Sequence, residues 1–299
     1  MQLGAAWFGF RQQTYSNYFE MAASLALTYV EMPLYWQIIQ ESVADGASKP
    51  SLAVFEQRRQ QAEQAGVRMI AGVSALELAG DYNMRGERID ASEHRFAKAC
   101  AYRTLDITVQ LGLEVVRLTE PNVPPDFTQQ ESRAYMDAYG FVLRELGDYA
   151  ADHGIQIVVE NYGMTSTQMN WLLDAADHPA VGTLYDPCNY FRIGEDPLTA
   201  LHNLGQRVYY CHLKDTRRDE VRPPDILFKG SRWAPSVAVG EGDIDWKPIL
   251  AKLKTFYNGY LCIEYEMAED VTRGTRSSIA YIQNILQEDG VERYCCIPE

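Results

Sequence analysis

The sequence predicts a (β/α)8 TIM barrel, read as a single domain over residues 1–299. Three observations lead there. Eight short apolar or aromatic runs are each followed by a helical pattern or a long excursion, and strict strand–helix alternation gives a parallel sheet with right-handed crossovers. Four runs, Ile157–Glu160, Gly182–Asp186, Val208–His212 and Tyr260–Glu264, end on side chains that can bind a metal. Glu160, Asp186 and His212 are 26 residues apart and Glu264 lies 52 further on, a period of one strand-plus-helix unit. The alternative, an open doubly wound sheet, is weakened because no GxGxxG follows the first run.

The elements follow in order. Leu3–Phe8 is the first apolar stretch, and a helix is expected from about Asn17 to Leu27. Tyr29–Glu31 is the second strand, with Tyr35 and Trp36 just beyond it, where an aromatic loop would overhang the mouth. Ser51 is placed to cap the next helix, which ends at Gly66, and Val67–Ala71 is the third strand. Asp90 and Glu93 have capping-box spacing for a helix that stops at Gly112, and Val115–Leu118 is the fourth strand. Thr128 and Glu131 form a second capping box, for a helix whose expected inner face is Ala134, Ala138, Phe141 and Val142. Strands five to seven are Ile155–Glu160, Val181–Tyr185 and Val208–Leu213. The rhythm then breaks from Lys214 to Ile244, a stretch with Arg217, Arg218, Phe228 and Trp233 that reads as a lid or binding loop. Asp245 or Trp246 opens the next helix, Tyr260–Glu264 is the eighth strand, and a helix over Thr275–Leu286 closes the ring.

Composition limits the function classes. With 46% hydrophobic residues the chain can bury a large core, and its net charge of −14 opposes binding to phosphate backbones or anionic membranes. No nucleic-acid or membrane partner is expected. The N-terminus lacks a basic segment followed by an apolar one, and no run reaches the roughly 18 residues of a membrane span. The six cysteines form no CxxC pair, so Cys188, Cys211 and Cys262 read as reduced core residues of a cytoplasmic protein.

At the carboxyl ends of barrel strands side chains face the substrate. Glu160, Asp186, His212 and Glu264 would converge there. Crowded carboxylates need a cation or protons, and three oxygen donors with one imidazole suit Mn²⁺, Mg²⁺ or Co²⁺. Glu31 and Glu120 also follow apolar strands and fit the same rule, and Glu266 shares a face with Glu264.

The motifs Val158-Val159-Glu160-Asn161, Asp186-Pro187-Cys188-Asn189, His212-Leu213-Lys214-Asp215, Gly240-Glu241-Gly242-Asp243-Ile244-Asp245-Trp246 and Ile263-Glu264 resemble the sugar phosphate isomerase/epimerase superfamily, the xylose isomerase-like barrels. The resemblance covers about the second half of the chain. It implies that Glu160, Asp186, His212 and Glu264 hold one divalent cation, Mn²⁺ first among the candidates. It also implies that Glu160 and Glu264 move protons, as in the ketose 3-epimerase branch. Several of those epimerases carry His three residues after the Asp, where this chain carries Asn189; Arg218 lies where that branch has a substrate-binding Arg.

The expected activity is isomerisation or epimerisation of a sugar or polyol-like carbonyl compound by proton abstraction beside a polarised carbonyl, through an enediolate. The alternative is a metal-dependent lyase of the same family, dehydroshikimate dehydratase-like or the catalytic subunit of a C-glycoside deglycosidase. The DNA-repair endonuclease branch, with three zinc ions and more histidines, is set aside. Lys214, Arg218, Asn189, Trp36 and Trp233 are the expected substrate contacts; for Lys214 a salt bridge to Asp215 is the competing reading. The expected partner is a small sugar-like molecule, and the expected assembly a homo-oligomer.

Overall fold

The computed structural model describes residues 1–44, 49–75, 83, 87–121, 123, 126–218, 236–266 and 270–288. Seven parallel strands run in chain order: β1 (Gln2–Ala5), β2 (Tyr29–Pro33), β3 (Arg68–Val73), β4 (Val115–Thr119), β5 (Gln156–Glu160), β6 (Val181–Tyr185) and β7 (Val208–Leu213). A small antiparallel pair follows, β8 (Asp215–Thr216) with β9 (Ser236–Val237). The last strand, β10 (Tyr260–Ile263), pairs with both β1 and β7 and closes the barrel. The fold is the (β/α)8 barrel that the alternation predicts.

Helices cover the outside. They are α1 (Trp7–Phe10), α2 (Tyr15–Ser24), α3 (Trp36–Ala44), α4 (Lys49–Gln64), α5 (Ala91–Gln110), α6 (Gln129–Asp152), α7 (Ser166–Ala176), α8 (Pro187–Arg192), α9 (Pro197–Leu204), α10 (Trp246–Leu253) and α11 (Val271–Glu288). Both expected capping boxes form, and Thr165 with Gln168 makes a third at the start of α7. Among the described residues no helix is long and apolar enough to cross a membrane. Cys100, Cys188, Cys211 and Cys262 are buried free thiols; Cys295 and Cys296 lie outside the described residues.

Several boundaries differ from the sequence reading. β1 ends at Ala5 and Trp7 already belongs to α1, so the apolar run of residues 3–8 is split between a strand and a helical turn. α4 begins at Lys49, which places Ser51 inside the helix instead of at its cap. The inner face of α6 is also not the expected one. Tyr135, Met136, Tyr139, Leu143 and Leu146 are buried, whereas Phe141 is 58% exposed. The tyrosines can be buried because their hydroxyls find carbonyl partners, Tyr135 on Asn83 at 2.9 Å and Tyr139 on Thr119 at 2.7 Å. Gly140 lets α6 press against α7: a Cβ there would lie 2.5 Å from the Ala175 Cβ.

The break after β7 has a structural cause. Asp215 accepts from the Gly240 and Gly242 amides at 2.9 and 3.3 Å and from the Trp246 indole at 2.9 Å. It thereby pins the Gly240-Glu241-Gly242 turn, where a Cβ on Gly242 would lie 2.0 Å from Asp215 Oδ1. The two ends of the expected lid are thus anchored to each other; its middle, with Phe228 and Trp233, lies outside the described residues.

One irregularity matters for the site. The β2–β3 register shifts between Val30 and Glu31. The buried Tyr18 hydroxyl fills the kink: it donates to the Ala5 carbonyl at 2.8 Å and accepts from the Glu31 amide at 3.1 Å. Tyr18→Phe should leave that amide buried without a partner and cost about 1–3 kcal/mol. The check is urea unfolding, with a lower midpoint and an unchanged slope expected; an unshifted midpoint would refute this role.

Candidate metal centre at the barrel mouth

Strand pleating aims the site. The barrel interior is packed by Ala71, Val115, Val158, Leu184, Tyr210 and Cys262, among others. Two residues beyond Val158, Leu184, Tyr210 and Cys262 come Glu160, Asp186, His212 and Glu264. Because side chains alternate along a strand, each of the four stands on the same inward face as the apolar residue below it. They converge: one donor atom of each lies within 4.8 Å of those of the other three, and all four residues are buried.

Neighbours orient each of them. Asp186 caps α8, its Oδ1 accepting from the Cys188 and Asn189 amides at 2.9 and 3.2 Å. Asn189 donates from Nδ2 to the Asn161 carbonyl at 2.8 Å, and Asn161 Oδ1 accepts from the Asp186 amide at 3.3 Å. His212 Nε2 lies 2.7 Å from Glu31 Oε1, whose other oxygen accepts from the Trp7 amide at 3.0 Å. Glu31, one of the strand-end carboxylates that fit the spacing rule, therefore stands behind the imidazole. It turns Nδ1 toward Glu160 Oε1 at 3.3 Å and Glu264 Oε2 at 3.6 Å.

Two cations occupy the rim of the cluster. Lys214 Nζ lies 2.6 Å from Glu264 Oε2, 2.8 Å from Asp186 Oδ2 and 3.6 Å from Glu266 Oε2. The competing reading of Lys214, a bridge to Asp215, does not form: successive residues point to opposite sides, and Asp215 serves the glycine turn. Arg117, two residues after the interior Val115, pairs with Glu160 and with the Tyr162 hydroxyl. Burial works against the charge of Glu264, yet Lys214 and then His212 hold its carboxyl well below the usual carboxylate range. Burial likewise works against the Lys214 ammonium, but Asp186, Glu264 and Glu266 push it well above the usual lysine range.

The other expected residues divide. Arg218 is exposed, its guanidinium 5.0 Å from the Phe191 ring centre and its amide on Asp243 at 2.6 Å. Trp36 opens α3, with its backbone alone described, and Trp233 lies outside the described residues. Glu120 accepts from the Gly163 and Met164 amides and ties down the loop after β5; burial pushes its carboxyl up to about 7 against those donors. Above the cluster is a cavity of about 220 Å³, lined by Phe8, Arg11, Tyr162, Arg192, Ser236 and Glu266 with Lys214 and Glu264. Arg117, Arg11 and Arg192 were not anticipated. For Arg117 the signal was present: a charge on the inward register of the apolar run Val115-Val116-Arg117-Leu118.

The donor set fits a divalent cation. His212 Nδ1 and Glu160 Oε1 are buried without hydrogen-bond partners, and they face each other. Three carboxylates with one imidazole favour an ion that accepts hard oxygen ligands.

Known proteins agree with this frame. The sequence matches the xylose isomerase-like TIM barrel family over residues 19–285. The chain belongs to that family. An inosose dehydratase of Clostridium perfringens is 33% identical over 133 residues, which is 42% of this chain and 45% of that relative. The match thus spans less than half of the relative's length. Among solved structures, the IOLI protein with a bound zinc atom superposes with a TM-score of 0.71 at 16% identity, covering 96% of this chain and 99% of that one. D-psicose 3-epimerase of Clostridium cellulolyticum with D-tagatose gives 0.70 at 14% identity, covering 96% and 99%. At such identities the likeness is one of fold. The name of the sequence relative fits the dehydratase alternative better than isomerisation or epimerisation.

The surroundings of His212 make a prediction about protons. Burial alone would lower the His212 pKa, but Glu31 and Glu264 outweigh it and hold the imidazole well above its usual range. A cation taking Nδ1 must displace that proton, so affinity should rise with pH until the metal-free imidazole is itself neutral. Calorimetric titration with Mn²⁺ in two buffers of different ionisation enthalpy should show about one proton released, with up to about tenfold tighter binding per pH unit. Binding without proton release, at constant affinity, would sink this expectation.

Proposed function

We propose that this protein is a divalent-metal-dependent lyase that removes water from a polyhydroxylated ketone of the inosose kind. Glu160, Asp186, His212 and Glu264 are the proposed ligands, and Mn²⁺ the proposed ion, from the oxygen-rich donor set. The relation to an inosose dehydratase over 133 residues carries the lyase reading. Isomerisation and epimerisation, the first expectation from sequence, begin with the same proton abstraction and rank second.

When bound, the cation polarises the substrate carbonyl and makes the neighbouring C–H acidic. Glu264 lies at the floor of the 220 Å³ cavity and is kept ionised by Lys214, as a base must be. It takes the proton from the carbon beside the carbonyl. The C–O bond on the next carbon then breaks, and the same carboxyl returns the proton to the departing hydroxyl, which leaves as water. Lys214, 2.6 Å from Glu264 and 2.8 Å from Asp186, has a third N–H to offer that hydroxyl. Phe8 and Tyr162 wall the cavity with apolar surface suited to the C–H face of a ring, and Arg11 and Glu266 supply polar contacts at the rim.

The test is incubation of the Mn²⁺-loaded protein with an inosose, followed by proton nuclear magnetic resonance. Loss of one water per substrate is expected. Glu264→Gln, assayed at saturating Mn²⁺, should lower the rate by about 10²–10⁴-fold. Recovery of an isomer at unchanged mass would return the assignment to isomerase or epimerase, and full activity of Glu264→Gln would remove its role as base.

A further inference from the structure

We infer that Arg117 divides the two oxygens of Glu160, fixing it as a one-oxygen metal ligand and leaving Glu264 as the proton-carrying carboxylate. The second half of this inference rests on the function proposed above. Both Glu160 and Arg117 are buried, 0% and 2% exposed. Glu160 Oε1 faces His212 Nδ1 at 3.3 Å, on the side where the ligands converge, and Oε2 is taken by the Arg117 guanidinium. The register explains the pairing. Arg117 lies beside Val158 across the β4–β5 ladder, and Glu160 is the next inward residue beyond Val158.

The guanidinium has little freedom to leave. Its carbon stands 5.4 Å from the Phe8 ring centre and 5.3 Å from that of Tyr162, and it also bonds the Tyr162 hydroxyl. A planar fork bonded to a carboxylate and a phenol keeps its direction, which a lysine would not. A proton arriving at Glu160 Oε2 would meet N–H donors and would leave a buried guanidinium unpaired. Glu264 differs. Its partner Lys214 is a point charge that also contacts Asp186 and Glu266, and Glu264 lines the cavity whereas Glu160 does not line it among the described residues. The asymmetry suits an elimination with one acid–base carboxylate and opposes a two-faced proton exchange. Arg117 is thus a positioning residue, acting through Glu160.

A thermodynamic cycle tests the first half without any substrate. Mn²⁺ affinity is measured by calorimetry for the wild type, Arg117→Met, Glu160→Gln and the double variant. Arg117→Met should weaken Mn²⁺ by about 10–100-fold, the usual cost of losing a ligand's orienting partner, and should add little further loss once Glu160 is Gln. Tighter Mn²⁺ binding in Arg117→Met would overturn the inference, because it would make Arg117 a competing cation; fully additive losses would also overturn it. Should Arg117→Met fail to fold by circular dichroism, Arg117→Lys replaces it, with a smaller loss and the same non-additivity expected. The second half is read on the Mn²⁺-loaded proteins with an inosose in D2O. Wild type should return substrate with its configuration retained at the exchanging carbon, and Arg117→Met should also yield the epimer. Inversion by the wild type, or none by the variant, would overturn the proton-carrier assignment. If an inosose is not turned over at all, the proposed function fails while the Mn²⁺ cycle still decides the role of Arg117.

Discussion

Like-charge crowding is the constraint on which this barrel mouth depends. Glu31, Glu160, Asp186 and Glu264 are all buried within one ring of strand ends. Two unit charges about 4 Å apart repel by about 4 kcal/mol at the effective dielectric of a protein site. Four carboxylates therefore cannot share the space without compensation. The chain supplies Arg117, Lys214 and His212 on three sides, and the donors left unpaired between them face a common centre. The arrangement is a carboxylate set partly neutralised by the protein's own cations, with room for a further positive charge.

Backbone geometry aims these groups. Inward alternation carries the four convergent residues from β5, β6, β7 and the end of β10, but Glu31 needs more than alternation. The register shift at Val30/Glu31 is held by the Tyr18 hydroxyl, and it brings the carboxylate against His212 on the far wall of the barrel. A buried tyrosine on α2 thereby takes part in setting which imidazole nitrogen faces the site.

The four convergent residues were legible in the sequence because strand length and inward alternation both have short periods. An apolar run ending in Glu, Asp or His gives position and direction together. Glu31 was legible as a strand-end carboxylate, but its partnership with His212 is a contact between residues 181 apart. Such contacts depend on barrel closure, and no local pattern encodes them. Arg117 was overlooked because a charge within an apolar strand reads first as a surface residue; its inward register shows otherwise. The inner face of α6 was misassigned for a related reason. Tyrosine is treated as polar until its hydroxyl is seen on a carbonyl, as for Tyr135 and Tyr139. For Lys214 the competing reading, a bridge to its sequence neighbour Asp215, fails because pleating sends adjacent residues to opposite faces.

The recognisable motifs occupy the second half of the chain, yet the site does not. β2 supplies Glu31, the turn after β1 supplies the Trp7 amide and Phe8, and β4 supplies Arg117. The second half brings Glu160, Asp186, His212 and Glu264 together. The first half supplies the partner of one Glu160 oxygen and of one His212 ring nitrogen. The surroundings of the four convergent side chains are therefore set in good part by residues outside the recognisable motifs. An arginine fork on Glu160 and a lysine ammonium on Glu264 give the two carboxylates unlike surroundings at one mouth.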